Sequence, residues 1–155
     1  MRLALALALT LSASAQVPPA PATYLPAYIV TAGGGAVVPG HGGGFAYWSG
    51  SKYVGQASWV TYIQEYTISK GAIVSCSLGG VSHVVRQVSF ISVGLTGAGG
   101  GCSGDPRGAE SAASGQGFLS FHIKGAWSII ATARKTFTAS GTDAFRLTLG
   151  LGWGK

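Results

Sequence analysis

The last thirteen residues of the chain, Asp143 to Lys155, alternate between apolar residues and small or polar ones. They read D-A-F-R-L-T-L-G-L-G-W-G-K, and the apolar parity holds Phe145, Leu147, Leu149, Leu151 and Trp153. Because successive side chains of a strand point to opposite faces, this segment is predicted to be a β-strand with one apolar face. That face packs either on a protein core or on lipid, and the rest of the chain must distinguish the two.

The composition favours lipid. The 155 residues are 47% hydrophobic and only 9% charged, whereas soluble domains carry about 25% charged residues. The 26 glycines recur inside apolar, aromatic-rich segments, which argues against a disordered linker. A soluble domain of this size would have few charges with which to cover its surface.

The first residues are predicted to be a secretory signal. Met1-Arg2 supplies a positive charge, an apolar run follows to Leu11, and Ala13-Ser14-Ala15 is a small-x-small cleavage site. The run is shorter than the ~20 residues that a membrane-spanning helix needs. We therefore expect a signal peptide at 1–15, an extended Pro- and Ala-rich lead-in at 16–23, and a single β domain at 24–155.

Eight strand-like runs separated by turn residues follow, with no segment of helical periodicity between them. Their predicted bounds are Tyr28–Val38, Gly43–Ser49, Tyr53–Tyr66, Ala72–Val85, Val88–Thr96, Gln116–Lys124, Trp127–Lys135 and Ala144–Trp153. Hairpin connections throughout predict an all-β, antiparallel up-and-down topology. Eight is also the smallest strand number at which barrels of the outer-membrane type close.

The predicted connections alternate in length. Short turns are expected at Gly50–Lys52, Arg86-Gln87 and Gly125-Ala126, and the longest irregular stretch at Gly97–Gly115. Short turns at one end and long loops at the other are typical of an outer-membrane barrel. The middles of the predicted strands hold almost no charge, as a lipid-facing band requires, since a charge at the bilayer midplane costs about 2–4 kcal/mol.

With its signal, its repeated hairpins and its closing strand, the chain resembles the small eight-stranded outer-membrane β-barrel proteins of the OmpA/OmpX type. The segments T-Y-I-Q-E-Y-T (Thr61 to Thr67) and L-G-L-G-W-G-K are also similar to barrels of environmental bacteria. The resemblance implies an eight-stranded transmembrane β-barrel, exported to the bacterial outer membrane and in contact with its lipid. The final aromatic residue of many such proteins is absent here, because Trp153 is followed by Gly154 and Lys155.

Arg134 and Arg146 form the one charged constellation in the predicted strands. They fall on adjacent antiparallel strands and on the lumen parity, opposite the apolar set. Two readings remain open: a charge network with Glu65 that plugs the barrel, and a cationic lumen site that attracts small anions. In either case buried guanidinium groups require acceptors.

The large aromatic side chains are predicted to form girdles at the membrane interfaces, where amphipathic rings suit the headgroup level. The candidates are Trp48, Trp59, Tyr62, Trp127 and Trp153.

Cys76 is expected in a strand and Cys102 in a Gly-rich loop. Export would place them in an oxidising compartment where they can pair, although the sequence does not say whether they come within bridging distance.

Little in the chain points to chemistry. His41, His83 and His122 are isolated, no G-x-S-x-G occurs, and the Gly97–Gly101 run lacks the Lys and helix of a phosphate loop. We therefore expect no enzyme, no metal and no cofactor. We also expect no nucleic-acid partner, because the basic residues are dispersed.

The expected protein is a monomeric barrel with a structural or surface-interaction role and no large pore. Its long loops would contact an extracellular ligand or protein. The alternative is a secreted, lipocalin-like soluble barrel that binds a small apolar ligand, with its apolar face turned inward.

Overall fold

Eight antiparallel strands make up most of the computed structural model, which describes residues 25–38, 43–69, 72–104, 108–139 and 144–155. In chain order the strands are β1 (Tyr28–Val38), β2 (Gly44–Gly55), β3 (Ser58–Ser69), β4 (Ala72–Val88), β5 (Ile91–Gly104), β6 (Gly108–Lys124), β7 (Trp127–Thr138) and β8 (Ala144–Gly154). Each strand pairs with its neighbours in sequence, and β8 pairs with β1 to close a barrel. The predicted all-β, up-and-down, eight-stranded barrel is confirmed.

The register of the barrel can be followed once round its wall. From Tyr28, the partner residues on the successive strands are Lys52, Val60, Val81, Gly97, Gly115, Lys135 and Phe145. Phe145 pairs with Val38, so the path returns to β1 ten residues beyond its start. A stagger of this size tilts the strands by roughly 35–45° to the barrel axis and leaves a lumen that side chains can fill.

Three two-residue turns lie at one end of the barrel, here called the turn end, and the opposite end is called the loop end. The turns are 56–57, 89–90 and 125–126. The turns predicted at Gly50–Lys52 and Arg86-Gln87 are wrong, because these residues belong to β2 and β4. The observed turn Gln56-Ala57 has positive φ angles of 50° and 54° without any glycine or asparagine, so turn chemistry gave no signal there.

The predicted long loop at Gly97–Gly115 is also wrong. β5 continues to Gly104 and β6 begins at Gly108, with paired residues along the whole length of both strands. Glycine has low strand propensity, but in a closed barrel both backbone edges of every strand find partners, which overrides that preference. The connections at the loop end are consequently 39–43, 70–71, 105–107 and 139–143, each of two to five residues.

The wall of the barrel is apolar outside and polar inside. Of the described residues, 24 large hydrophobic side chains are exposed, among them Leu149, Leu151 and Leu95. The buried residues include 14 polar or charged side chains and only eight hydrophobic ones. This is the inverse of a soluble domain, in which the polar side chains cover the surface.

The predicted signal peptide at 1–15 and lead-in at 16–23 lie outside the described residues. Where the chain is described, no helix is long and apolar enough to cross a membrane.

Candidate functional site

The lumen is crossed by a cluster of two arginines and one glutamate. Arg134 and Arg146 are direct partners in the β7–β8 pair, and Glu65 reaches them from β3 across the barrel. Arg134 Nη1 forms an ion pair with Glu65 Oε1, and Arg146 Nη1 lies 3.7 Å from Glu65 Oε2. Glu65 is 0% exposed and Arg134 1%. The structure therefore brings together all three residues that the sequence offered as lumen charges.

Polar side chains complete the coordination of the two guanidinium groups. Gln116 Oε1 accepts hydrogen bonds from Nε and Nη2 of Arg134, its direct partner across the β6–β7 pair. Arg146 Nη1 donates to Thr136 Oγ1 at 2.8 Å, and Nη2 donates to Thr67 Oγ1 at 3.4 Å. Sequence reasoning missed Gln116, although it lies on the same parity of its strand as Ser120, which the structure buries in the lumen.

Aromatic rings from β2 flank the cluster. The guanidinium carbon of Arg134 lies 5.5 Å from the ring centroid of Tyr47, and that of Arg146 lies 5.2 Å from the ring of Phe45. These distances are those of cation–π contacts. The ring of Tyr47 fits because Gly33, its partner in β1, has no side chain: a Cβ there would lie 2.8 Å from Tyr47 Cε1.

A disulfide and apolar side chains fill the opposite wall. Cys76 and Cys102 face each other in the β4–β5 pair and are joined by a disulfide bond. Both are buried and pack with Ile63, Leu78 and Ala112. Together with the charged cluster, this packing fills the loop half of the lumen.

Small hydroxyl side chains line the turn half. Ser51, Thr61, Ser82 and Thr96 form a belt across β2, β3, β4 and β5, with oxygen–oxygen distances of 3.0, 2.8 and 2.8 Å. Because these side chains are short, they leave a cavity in which about 100 Å³ is open to the centre of a water molecule. This space, here called the lumen cavity, extends from Arg134 to the turn end, where Leu25, Pro26 and Trp59 line it together with Gly125, Ala126 and Gly154.

The five predicted girdle residues do not lie together. Trp127 and Trp153 are exposed partners at the turn end of β7 and β8. Trp48 and Tyr62 are also exposed and lie 5.4 Å apart between ring centroids, but they lie near the middle of β2 and β3.

The prediction that Trp59 belongs to an aromatic girdle is wrong. Its parity in β3 is that of the lumen, where it is 3% exposed and its indole N–H donates to the Pro26 carbonyl at 2.9 Å. This hydrogen bond ties the stretch that precedes β1 to the turn end of the barrel.

Polar groups on the outer wall are few and mostly satisfied. Gln64 lies on the outward parity of β3, where its carbonyl accepts from Tyr62 and Ser77 and its amide donates to Ser75, at 2.6 to 2.7 Å. Lys52 and Lys135 also face outward, each three residues from the end of its strand. Long side chains in such positions can extend to the membrane interface.

Two histidines hydrogen bond to serines. Ser58 Oγ lies 2.8 Å from His83 Nδ1 on the outer wall, and Ser92 Oγ lies 3.1 Å from His122 Nε2 in the lumen. Among the described residues, no carboxylate contacts either histidine, and no group of three or more His, Cys, Asp or Glu side chains is placed to hold a metal ion. His41 lies outside the described residues.

Comparison with known proteins yields a likeness of fold. No protein-family model matches the chain, and no curated protein matches its sequence. Among solved structures, the chain is similar to one from the de novo design of transmembrane β-barrels, with a TM-score of 0.58 and 9% identity over 85% of this chain and 98% of that one. At this identity the match shows that the two chains share the eight-stranded barrel fold.

Proposed function

We propose that the protein is an integral β-barrel protein of the bacterial outer membrane, with a structural role, no large pore and no catalytic activity. One observation carries the proposal: the buried interior is mainly polar, whereas the exposed wall carries 24 large hydrophobic side chains. In water these side chains would give the protein an apolar surface of a kind that monomeric soluble proteins rarely expose. A lipid bilayer is the solvent that such a wall fits.

The designed transmembrane barrels support the same proposal by their shared fold. A closed barrel satisfies all backbone hydrogen bonds within the wall, which the hydrocarbon region requires of any spanning structure. The strands have 11 to 17 residues, and a tilted spanning strand needs about 9–11. Each strand is therefore long enough to cross.

A soluble lipocalin-like barrel would need the opposite arrangement of faces, with apolar side chains around the ligand and polar ones in water. Here Arg134, Glu65 and Arg146 occupy the interior, and Leu147, Leu149 and Leu151 face out. The two faces of the strands are therefore the reverse of those that the alternative requires.

The filling of the lumen supports the proposal that the barrel has no large pore. The charged cluster and the disulfide-linked apolar wall occupy its loop half. Eight strands also enclose too little space for a porin-type channel. In a planar bilayer we expect no porin-like conductance.

Fractionation and heat modifiability test the proposal. Expressed from the full 155-residue sequence, the protein should pellet with outer membranes, resist extraction by carbonate, and migrate differently on a detergent gel before and after boiling. Recovery of the folded chain in the soluble fraction without detergent would refute it.

A further inference from the structure

We propose that the lumen cavity is a binding site for a small organic anion, a carboxylate with a short apolar body, which enters from the turn end. The inference concerns the interior of the barrel and does not depend on what surrounds its outer wall. It rests on three features: empty space, an excess of positive charge at the inner end, and walls of mixed polarity.

The space comes from the size of the side chains. Large side chains fill the loop half, whereas 12 of the 25 residues that line the cavity are Ser, Thr or Gly, including Ser120, Ser128 and Gly154. Eight-stranded barrels either fill their interior with side chains or hold one small ligand. About 100 Å³ of the cavity is open to the centre of a water molecule. One water needs only ~10–15 Å³ by this measure, so a small organic molecule has room.

The charge comes from the inner end. Glu65 is the one carboxylate that contacts Arg134 and Arg146 in the part of the chain that the structure describes. Two guanidinium groups against one carboxylate leave one positive charge in excess. Arg134 lines the cavity, and Arg146 lies beside it in β8. Since both arginines are buried, water screens this charge weakly, and an anion in the cavity would compensate it.

Gln116 adds a donor at this end. Its carbonyl oxygen is held by Arg134, and the residue lines the cavity. Its amide NH₂ group therefore lies at the same end, together with the hydroxyl of Thr132, which pairs with that of Thr148. A carboxylate requires such a set of donors beside a cation.

The walls suit a body that is mainly apolar. Ile63, Phe118 and Ile130 line the cavity together with the hydroxyl belt Ser51–Thr61–Ser82–Thr96. The belt hydroxyls bond to one another and so need no partner from the ligand. This combination favours a short alkyl or aryl carboxylate over a sugar or another ligand rich in hydroxyls.

Three probes of one shape and different charge test the site: benzoate, benzyl alcohol and benzylamine. Each is titrated into the ¹⁵N-labelled barrel in zwitterionic detergent micelles, and the amide resonances of lumen-facing and outward-facing residues are followed. Benzoate should give saturable shifts confined to cavity residues such as Ser120 and Thr132. Benzyl alcohol should bind at least about tenfold more weakly, and benzylamine should show no saturable shifts.

Two lumen variants and one outer-wall control separate charge from space. Gln116→Glu keeps the shape and the acceptor for Arg134 but cancels the excess charge, so benzoate affinity should fall at least about tenfold. Ser120→Leu fills the cavity and should abolish the saturable shifts. Gly117→Leu adds the same side chain at an outward position where a Cβ meets nothing within 4 Å, so its affinity should be unchanged.

Shifts of the cavity amides that do not saturate with benzoate would overturn the proposal. Equal binding of benzoate and benzyl alcohol would do so as well, since the site would then select only for apolar bodies. Retention of full affinity in folded Gln116→Glu would rule out the excess charge as the attracting feature.

Discussion

Glu65 lies between Arg134 and Arg146 and is the carboxylate that both guanidinium groups share inside the barrel. The two arginines come from adjacent strands, whereas the glutamate comes from β3, on another part of the wall. The cluster thus links parts of the wall that share no backbone hydrogen bonds. Its stability depends on each charge keeping its partner, since an unpaired buried charge is costly.

Glu65→Gln should destabilise the barrel strongly. The change leaves two buried guanidinium groups without a carboxylate, and loss of one partner of a buried pair costs about 3–5 kcal/mol. Urea unfolding in lipid vesicles measures this loss. Tyr66→Phe is the control, because Tyr66 is the exposed neighbour on the opposite face. An equal effect of both changes would show that the carboxylate does not pair in the lumen.

Arg134→Leu should destabilise the barrel more than Arg146→Leu. Arg134 contacts both Glu65 and Gln116, whereas Arg146 lies 3.7 Å from the carboxylate and also holds Thr136. Arg146→Leu leaves a neutral Arg134–Glu65 pair, so we expect a loss of about 1–3 kcal/mol. The same unfolding assay ranks the two, and an unchanged midpoint for Arg146→Leu would contradict any role in lumen pairing.

The disulfide should resist reductant in the folded barrel. Cys76 and Cys102 are only 2% and 3% exposed, so a water-soluble thiol reaches them after unfolding. Treatment with dithiothreitol followed by a maleimide-polyethylene glycol should shift the gel band only when urea is present.

Removing both cysteines tests the stability that the disulfide contributes. The Cys76→Ser/Cys102→Ser variant should still fold but lose about 2–4 kcal/mol, because the bridge no longer restricts the unfolded chain. Free thiols in the untreated folded protein would contradict the assignment of the disulfide.

Adjacent glycines of β4 should differ sharply in their tolerance of alanine. A Cβ on Gly80 would collide with the carbonyl oxygen of Gly97 on the neighbouring strand, whereas a Cβ on Gly79 meets nothing within 4 Å. Gly80→Ala should therefore cost about 1–3 kcal/mol. Gly79→Ala should be neutral or slightly stabilising, because glycine weakens a strand. Comparable unfolding midpoints for the two variants would contradict the observed packing.

A charge on the outer wall tests the membrane setting. Leu149 is 62% exposed, and Leu149→Arg should cost about 2–4 kcal/mol in a bilayer if this position lies near the midplane. Leu149→Ile, which keeps the apolar surface, is the control. A Leu149→Arg variant that is soluble without detergent and fully stable would instead favour the soluble barrel.

Side-chain alternation made much of the barrel predictable. The apolar parity of β8 is exposed and its opposite parity, including Arg146 and Thr148, is buried. The pattern works because a strand alternates its faces whatever its partners are. Glycine-rich strands carry little of this signal, and for that reason the stretch around Gly97–Gly115 was misplaced.

The candidate site was less predictable, because its parts come from distant strands. Parity put Arg134 and Arg146 in the lumen, but Gln116 followed a presumed loop and drew no attention. Trp59 was assigned outward on its residue type alone, although it lies three residues from Tyr62 and therefore on the opposite face. Its burial against Pro26 depends on a contact over 33 residues, which no local pattern contains.

The closing strand, Phe145 to Trp153, shows most clearly which properties the sequence determines and which the tertiary structure decides. The sequence by itself determined that the protein is a charge-poor chain of alternating strands with an apolar face, since these properties depend on local geometry and composition. Only the tertiary structure decided that the apolar face is the outer wall, that Cys76 meets Cys102, and that two arginines share Glu65 above an open cavity. These facts depend on register and barrel closure, which arise from pairing between all eight strands at once.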